Sequence, residues 1–371
     1  MEFGNTVCFF KSIVNQENLY PPIIFGKCKM GVDIGDLFNK EKITFDDLHE
    51  RIIAIDAYNV LHQFLATIRQ RDGTPLKDAR GEITSHLSGL LYRTANLVES
   101  KIRPVYVFDG EPHPLKAKTL EERKKRKELA EKEWKEALEV GDLEKARIKA
   151  QQTSRVTDEI IEQSVELLDA LGIPHIQALS EGEAQASYMV KKGKVYAVGS
   201  QDFDCLLFGS PILVRNLTSS EKRKLPKKQA YVPITPHIIQ LQSNLKSLEI
   251  SQRQLVDMAI IIGTDFNDGI RGYGPKKSLS LIKKAGSLEK ALSAIESSDK
   301  PTLEEIKQIR EIFLSPVTTD DYSLNWSTPE KEKVLKILCD EHQFSQERIE
   351  PILEKFSSIE HIKKQKNLLD F

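Results

Sequence analysis

The stretch KVYAVGSQDFDCLLFG, residues 194–209, decides the fold. Its first seven residues form a short apolar run without alternation, the pattern of a strand buried on both faces. The run leads straight into Asp202 and Asp204, which flank Phe203 and precede the apolar CLLFG. On extended backbone the two carboxylates would share a face, about 6.7 Å apart along the strand. At an effective dielectric near 20 they would repel by about 2–3 kcal/mol. A solvated turn would screen that repulsion, and a bound cation would offset it.

The same arrangement recurs outward from this point. RIIAIDAYN (residues 51–59) is a β-branched run ending in Asp56, and RPVYVFDG (residues 103–110) ends in Asp109. Between them Ile83, Leu87, Leu90, Leu91, Leu97 and Val98 fall near one helical face. VTDEIIEQSVELLDALG (residues 156–172) reads as a helix with acids in its first turn, Gly172 at its end and Pro174 beyond. Alternating strands and helices imply an α/β protein with a central, mostly parallel sheet flanked by helices. Ligands of such sheets collect beyond the carboxyl ends of the strands, where all four aspartates fall. In SEGEAQASYMV, Glu181 and Glu183 open a helix, and Ser180 with Glu183 matches a capping box. The helix dipole would support their charge as metal ligands too. Asp265 follows a hydrophobic helix that ends at Gly263.

Composition narrows the chemistry. The 371 residues are 40% hydrophobic and 29% charged with a net charge of -1, so any nucleic-acid footprint must be local. Four scattered cysteines without a CxxC pair suggest a reducing compartment and no structural zinc. No apolar run approaches the ~18 residues of a membrane span. Seven acids without histidine or cysteine suit Mg²⁺ or Mn²⁺. They are too many for one magnesium, whereas two ions about 3.5–4 Å apart could share them. Calcium storage is the bland competitor, but no EF-hand spacing occurs.

Residues 1–29 show neither period and read as an appendage, with a mis-assigned start as the alternative; a chain beginning at Met30 should be at least as active. Residues 30–250 carry the alternating core, interrupted at about 112–152 by a highly charged segment whose RKKRK (residues 123–127) is basic on every face. A solvated helical pair is the plain reading of that segment, and contact with phosphates the sharper one. Residues 251–360 turn helical, with a capping-box match at Ser251 and Gln254 and a helical stretch over 328–356. Within them DGIRGYGPKKSLSLIKK (residues 268–284) places Gly272 and Gly274 in a tight turn before a helix, followed by Lys276 and Lys277. This is a helix-hairpin-helix pattern over about 260–284, suited to gripping duplex backbone without reading sequence. Residues 361–371 form a polar tail.

MGVDIGDLF, IAIDAYN, VYVFDGEP, SEGEAQA, QDFDCLLFG and GTDFNDGIRGYGPKK occur in the order found in the flap endonucleases of the 5′-nuclease superfamily. From Met30 to Phe371 the chain closely resembles that family, in its archaeal form. The resemblance implies a PIN-like nuclease core, a helical arch over the site and two Mg²⁺ ions, with Mn²⁺ able to substitute. It makes Asp56, Asp109, Glu181, Glu183, Asp202, Asp204 and Asp265 the metal ligands, and Lys116 and Arg123 the catalytic cations on the scissile phosphate. Arg69, Arg93, Gly272, Gly274, Lys276 and Lys277 would bind DNA, with Glu181 and Asp265 also facing it. His62 stands where the family carries a tyrosine that stacks on a base. Gly31 would pack close to the metals. Gln365, Leu368 and Phe371 have the spacing of a sliding-clamp (PCNA) binding box that lacks its second aromatic. The implied activity is cutting of 5′ DNA flaps at the junction, with 5′-3′ exonuclease action, in Okazaki-fragment maturation and base excision repair. A related exonuclease or bubble-cutting nuclease is the alternative, although bubble cutters carry a far longer insertion at the arch. A non-catalytic clamp adaptor would have no need of seven acids. The expected molecule is a monomer, cytoplasmic in an archaeon and nuclear in a eukaryote, with no membrane partner.

Overall fold

The computed structural model describes residues 31–218, 222–224 and 231–357. The appendage and the clamp-box tail lie outside the described residues.

In chain order the strands are β1 (Glu41–Lys42), β2 (Ile52–Asp56), β3 (Arg103–Phe108), β4 (His175–Gln177), β5 (Ala197–Gly199), β6 (Ile212–Arg215), β7 (Lys222–Lys224), β8 (Tyr231–Pro233) and β9 (His237–Gln240). Helices α1 (Ala57–Thr67), α2 (Ser85–Glu99), α3 (Ala117–Glu139), α4 (Leu143–Gln151), α5 (Asp158–Ala170), α6 (Gly182–Lys191) and α7 (Asp204–Leu207) alternate with them. After β9 the described chain is helical: α8 (Leu241–Leu248), α9 (Gln252–Ile262), α10 (Pro275–Ala285), α11 (Leu288–Ser293), α12 (Leu303–Leu314), α13 (Lys331–Leu335) and α14 (Gln346–Glu354).

The main sheet has the order β1-β9-β6-β5-β2-β3-β4. Pairs β2–β3, β2–β5, β3–β4 and β5–β6 are parallel, while β9 runs antiparallel to β6 and β1. Ile53, Ala54 and Ile55 of the central strand and Val105, Tyr106 and Val107 of its neighbour are fully buried, as expected of strands covered on both faces. From β2 the chain steps outward to β3 and β4 and then returns to β5 on the other side. That reversal opens a crevice beyond the carboxyl ends of β2, β3 and β5.

The charged insertion is a helical pair. Helices α3 and α4 pack on one another, and their alanines Ala130, Ala137, Ala146 and Ala150 are all buried, while Leu129, Val140 and Leu143 stay exposed. Lys125 pairs with Glu121 at 2.7 Å and Arg126 with Glu122 at 3.2 Å along one turn of α3. Lys149 reaches Glu133 across the seam at 2.6 Å. The Trp134 indole N–H donates to the Asp72 carbonyl at 3.1 Å, tying α3 to the loop after α1.

The Ser251–Gln254 capping box forms as expected. The helix expected over 328–356 is instead broken. Helix α13 widens into a π-type turn at Lys336–Glu341, and α14 begins only at Gln346. Gln343, at φ 58°, adopts a left-handed conformation that no helix continues through.

Candidate active site

Each acid reaches the crevice from a different structural position. Asp56 is the last residue of β2 and the N-cap of α1, accepting the Asn59 backbone N–H at 3.1 Å. Asp109, one residue past β3, accepts the Gly182 N–H at 2.7 Å and so joins β3 to the start of α6. Glu181 itself occupies the cap position of α6 and makes no capping bond, so the expected Ser180–Glu183 box does not form. The Glu181 carboxylate is drawn to Lys116, and Glu183 accepts from the Ser200 hydroxyl at 3.2 Å.

The QDFD segment is not extended. Strand β5 ends at Gly199, the chain bends, and Asp204 begins the short helix α7, so the two carboxylates are not neighbours on one strand face. Bending lets each find its own donor: Asp202 accepts from the Asn59 side-chain amide and Asp204 from the Val32 backbone N–H, both at 2.7 Å. Phe203 turns away and stacks on Phe38, with the Arg215 guanidinium 4.2 Å from its ring centre. Asp265, three residues past α9, pairs with Arg123.

All seven acids, with Lys116, Arg123 and His62, line one cleft of about 500 Å³. Burial raises the Asp56 carboxyl to about 6 and the Asp109 carboxyl to about 7, the latter with help from neighbouring Asp56. Burial and then Asp265 raise Asp204 to about 7. Burial, followed by the neighbouring carboxylates, also pushes Glu183 and Asp202 well up. Burial alone would lower the Lys116 ammonium, but Glu181, Asp109 and Asp265 outweigh it and hold the charge more firmly than usual. Its Nζ lies 3.8 Å from Asp265 as well as pairing with Glu181. Desolvation, then the charges of Lys127 and Arg123, lower His62 to about 3, so its ring is neutral.

Other expected residues lie elsewhere. Arg69 is outside the cleft lining, and its guanidinium is turned into the protein. It donates to the Leu65 and Gly73 carbonyls at 2.7 and 2.8 Å and to Ser154 at 3.2 Å. Arg93 is half-buried on α2, also outside the cleft lining. Gly272, at φ 86°, and Gly274, the N-cap of α10, line a second cavity of about 1190 Å³ with Lys118 and Tyr273. Lys276 and Lys277 are exposed at the start of α10, and the Lys277 ammonium sits 3.9 Å from the centre of the Tyr273 ring. RKKRK divides by face: Arg123, Lys124 and Lys127 line the carboxylate cleft, whereas Lys125 and Arg126 pair outward.

Two residues that organise the acids, and one further cation, were missed at the level of sequence. Ser200 contacts Asp56 and Glu183 at 3.2 Å each and accepts the Asp202 N–H at 3.1 Å. Its position as the polar residue closing a buried strand was the available signal. Asn59 links Asp56 to Asp202 and Gln201, and sits three residues after the capping aspartate. Arg155 adds a further cation to the cleft wall. Gly31 packs against Asp204: at φ 68°, a Cβ there would stand 2.8 Å from the Asp204 Oδ1.

Acids at the strand ends of this sheet, with cations lodged among them, form a cleft able to take divalent ions and a phosphate. The XPG N-terminal domain and XPG I-region family models match residues 30–130 and 172–265. Flap endonuclease 1 of Pyrococcus abyssi is 51% identical over 340 residues, 91% of this chain and 97% of that protein. The Archaeoglobus fulgidus flap endonuclease 1 is 51% identical over 89% of this chain and 97% of its own length. The structure of flap endonuclease-1 from Methanococcus jannaschii superposes with a TM-score of 0.71 at 42% identity, covering 89% of this chain and 99% of that one. The chain belongs to the flap endonuclease 1 family of DNA-cleaving hydrolases.

Proposed function

We propose that this protein cuts DNA where a single-stranded 5′ flap leaves the duplex, using two divalent ions, and also removes nucleotides from 5′ ends. The observation that carries the reading is the cleft itself: seven carboxylates converge in it, and Lys116 and Arg123 from the base of the α3–α4 pair are lodged among them.

The donor set fits hard cations. All seven ligands offer oxygen, and several are buried deeply enough to resist ionisation without a positive partner. Lys116 and Arg123 stand in for such charge, on Glu181 and Asp265. Magnesium is the proposed ion and manganese its substitute. When bound, the pair would supply an activated water and stabilise the leaving oxygen. Released from their acids, Lys116 and Arg123 would hold the scissile phosphate while charge builds on it. The α3–α4 pair would serve as the arch, admitting single strand more readily than duplex. The neutral His62 ring offers a base a stacking face. The amides and lysines at the start of α10 would grip duplex phosphates without base specificity, Arg93 would add to DNA binding, and Arg69 would contribute through the loop carbonyls it holds.

The proposed setting is Okazaki-fragment maturation and base excision repair. The protein would act as a monomer, recruited to a sliding clamp through Gln365, Leu368 and Phe371, in the cytoplasm of an archaeal cell. No helix of the described residues is long and apolar enough to cross a membrane.

A labelled 5′-flap substrate, incubated with Mg²⁺ and with chelator, tests the reading. Wild type should cut only with the metal, and Asp204→Asn should lose at least a hundredfold in rate. Equal cutting by both proteins would refute it. Deleting residues 365–371 should abolish stimulation by the clamp while leaving clamp-free cutting unchanged.

A further inference from the structure

A second group of ligating side chains lies outside the carboxylate cleft. Asp78 and Glu82 sit in the loop between α1 and α2, and His342 follows the π-type turn, 264 residues from Asp78 along the chain. His342 Nδ1 stands 3.4 Å from Asp78 Oδ2 and 3.8 Å from Glu82 Oε2. One ligand atom from each of the three residues lies within 4.8 Å of the others.

These separations are longer than the about 2.7–3.2 Å of a good N–H···O bond. They are close to the edges of a coordination tetrahedron, since metal–ligand bonds of about 2.0–2.1 Å place ligand atoms about 3.3 Å apart. The Asp78 side chain is 0% exposed and that of His342 5%, so water replaces little of what they lack. Asp78 Oδ1 accepts the backbone N–H groups of Arg80 and Glu82 at 2.9 Å each, which turns Oδ2 toward the imidazole. Metal-binding carboxylates are held in this way by their other oxygen. Positive charge is already drawn to the spot. Arg80 Nη2 lies 3.3 Å from Asp78 Oδ2 and 3.1 Å from Glu82 Oε2, on a side chain that is 52% exposed and that also donates to the Glu341 carbonyl. The two carboxylates carry one more charge than the guanidinium between them.

We propose that Asp78, Glu82 and His342 bind a divalent ion of the zinc class, which displaces Arg80 from the two carboxylates and staples the α1–α2 loop to the C-terminal segment. The nitrogen ligand separates this site from the oxygen-only cleft, because imidazole suits zinc, iron, nickel and copper rather than magnesium. A fourth position is left to water. The staple would take over from the Arg80 bridge to the Glu341 carbonyl and add to the Ala79 N–H on the Gln343 side chain at 2.7 Å.

Calorimetric titration of Zn²⁺ into the full chain, with Mg²⁺ saturating the cleft, tests the assignment. Wild type should bind one Zn²⁺ that magnesium does not displace and should melt at a higher temperature when loaded. Asp78→Asn keeps the Oδ1 acceptor for the loop amides and should weaken binding at least tenfold, as should His342→Ala. Arg80→Ala removes the competing cation and should tighten binding severalfold. If His342→Ala fails to fold, the Asp78 and Arg80 variants decide. Zinc affinity unchanged in Asp78→Asn, or weakened in Arg80→Ala, would overturn the site and leave zinc binding to the carboxylate cleft alone.

Discussion

Replacing Asp204 by asparagine should make the metal-free protein more stable while destroying its activity. Asp204 is 6% exposed, and its carboxyl is raised from 3.8 to about 7 by burial and by Asp265. The unfolded chain ionises it near the ordinary value, so between about pH 4 and pH 7 the folded state holds the extra proton and stability falls as pH rises. Below about pH 4 both states are protonated and the penalty vanishes; above about pH 7 it is complete. At about 1.4 kcal/mol per pH unit the full penalty is on the order of 4 kcal/mol, an upper figure because neighbouring acids share the field. Asparagine keeps an oxygen for the Val32 N–H and carries no charge. At pH 8 in chelator, Asp204→Asn should therefore melt roughly 4–8 °C above wild type, taking about 2 °C per kcal/mol for a chain of this size. At pH 5 the gain should be much smaller. Added Mg²⁺ should raise the melting temperature of wild type more than that of the variant. Scanning calorimetry or dye-monitored melting at the two pH values reads this directly. A variant no more stable than wild type at pH 8 in chelator would refute the claim that these acids repel in the folded state.

Ser200→Ala should raise the Mn²⁺ dissociation constant about tenfold, read by paramagnetic resonance of free Mn²⁺, because Asp56, Glu183 and Asp202 lose the hydroxyl that spaces them. Lys116→Ala and Arg123→Ala should each lower single-turnover cutting by roughly a hundredfold or more, with a much smaller change in DNA affinity. Gly31→Ala forces a Cβ to 2.8 Å from Asp204 Oδ1 at φ 68° and should lower stability by about 1–2 kcal/mol in urea melts. Arg69→Ala should cost about 1–3 kcal/mol and leave flap affinity within a few-fold of wild type, since its donors face the protein.

Strands β2 and β3 were legible because central strands covered on both faces must be apolar, and their burial leaves the next polar residue to mark the end. Strands β4, β6 and β9 were not read, since short segments such as His175–Gln177 and His237–Gln240 are set by pairing rather than composition. Asp56, Asp109, Asp202 and Asp204 were legible for a similar reason: a buried strand followed by aspartate is a conspicuous pattern. What holds them was not. Asn59 meets Asp202 across 143 residues of sequence and Val32 meets Asp204 across 172, and no local spacing encodes such meetings. The Ser180–Glu183 box failed because α6 caps one residue later, at Glu181, and the Glu183 carboxylate accepts instead from Ser200, 17 residues away.

The alanine seam of the α3–α4 pair bears on how this part of the sequence can change over time. Its outer face is held only by exposed ion pairs, each contributing well under about 1 kcal/mol, so charges there can be exchanged or shuffled at little consequence. At Ala130, Ala137, Ala146 and Ala150 there is no such freedom, because all four are buried and a longer side chain would overpack its surroundings. Drift in this segment is thus confined to its charged letters. Four small residues carry the shape.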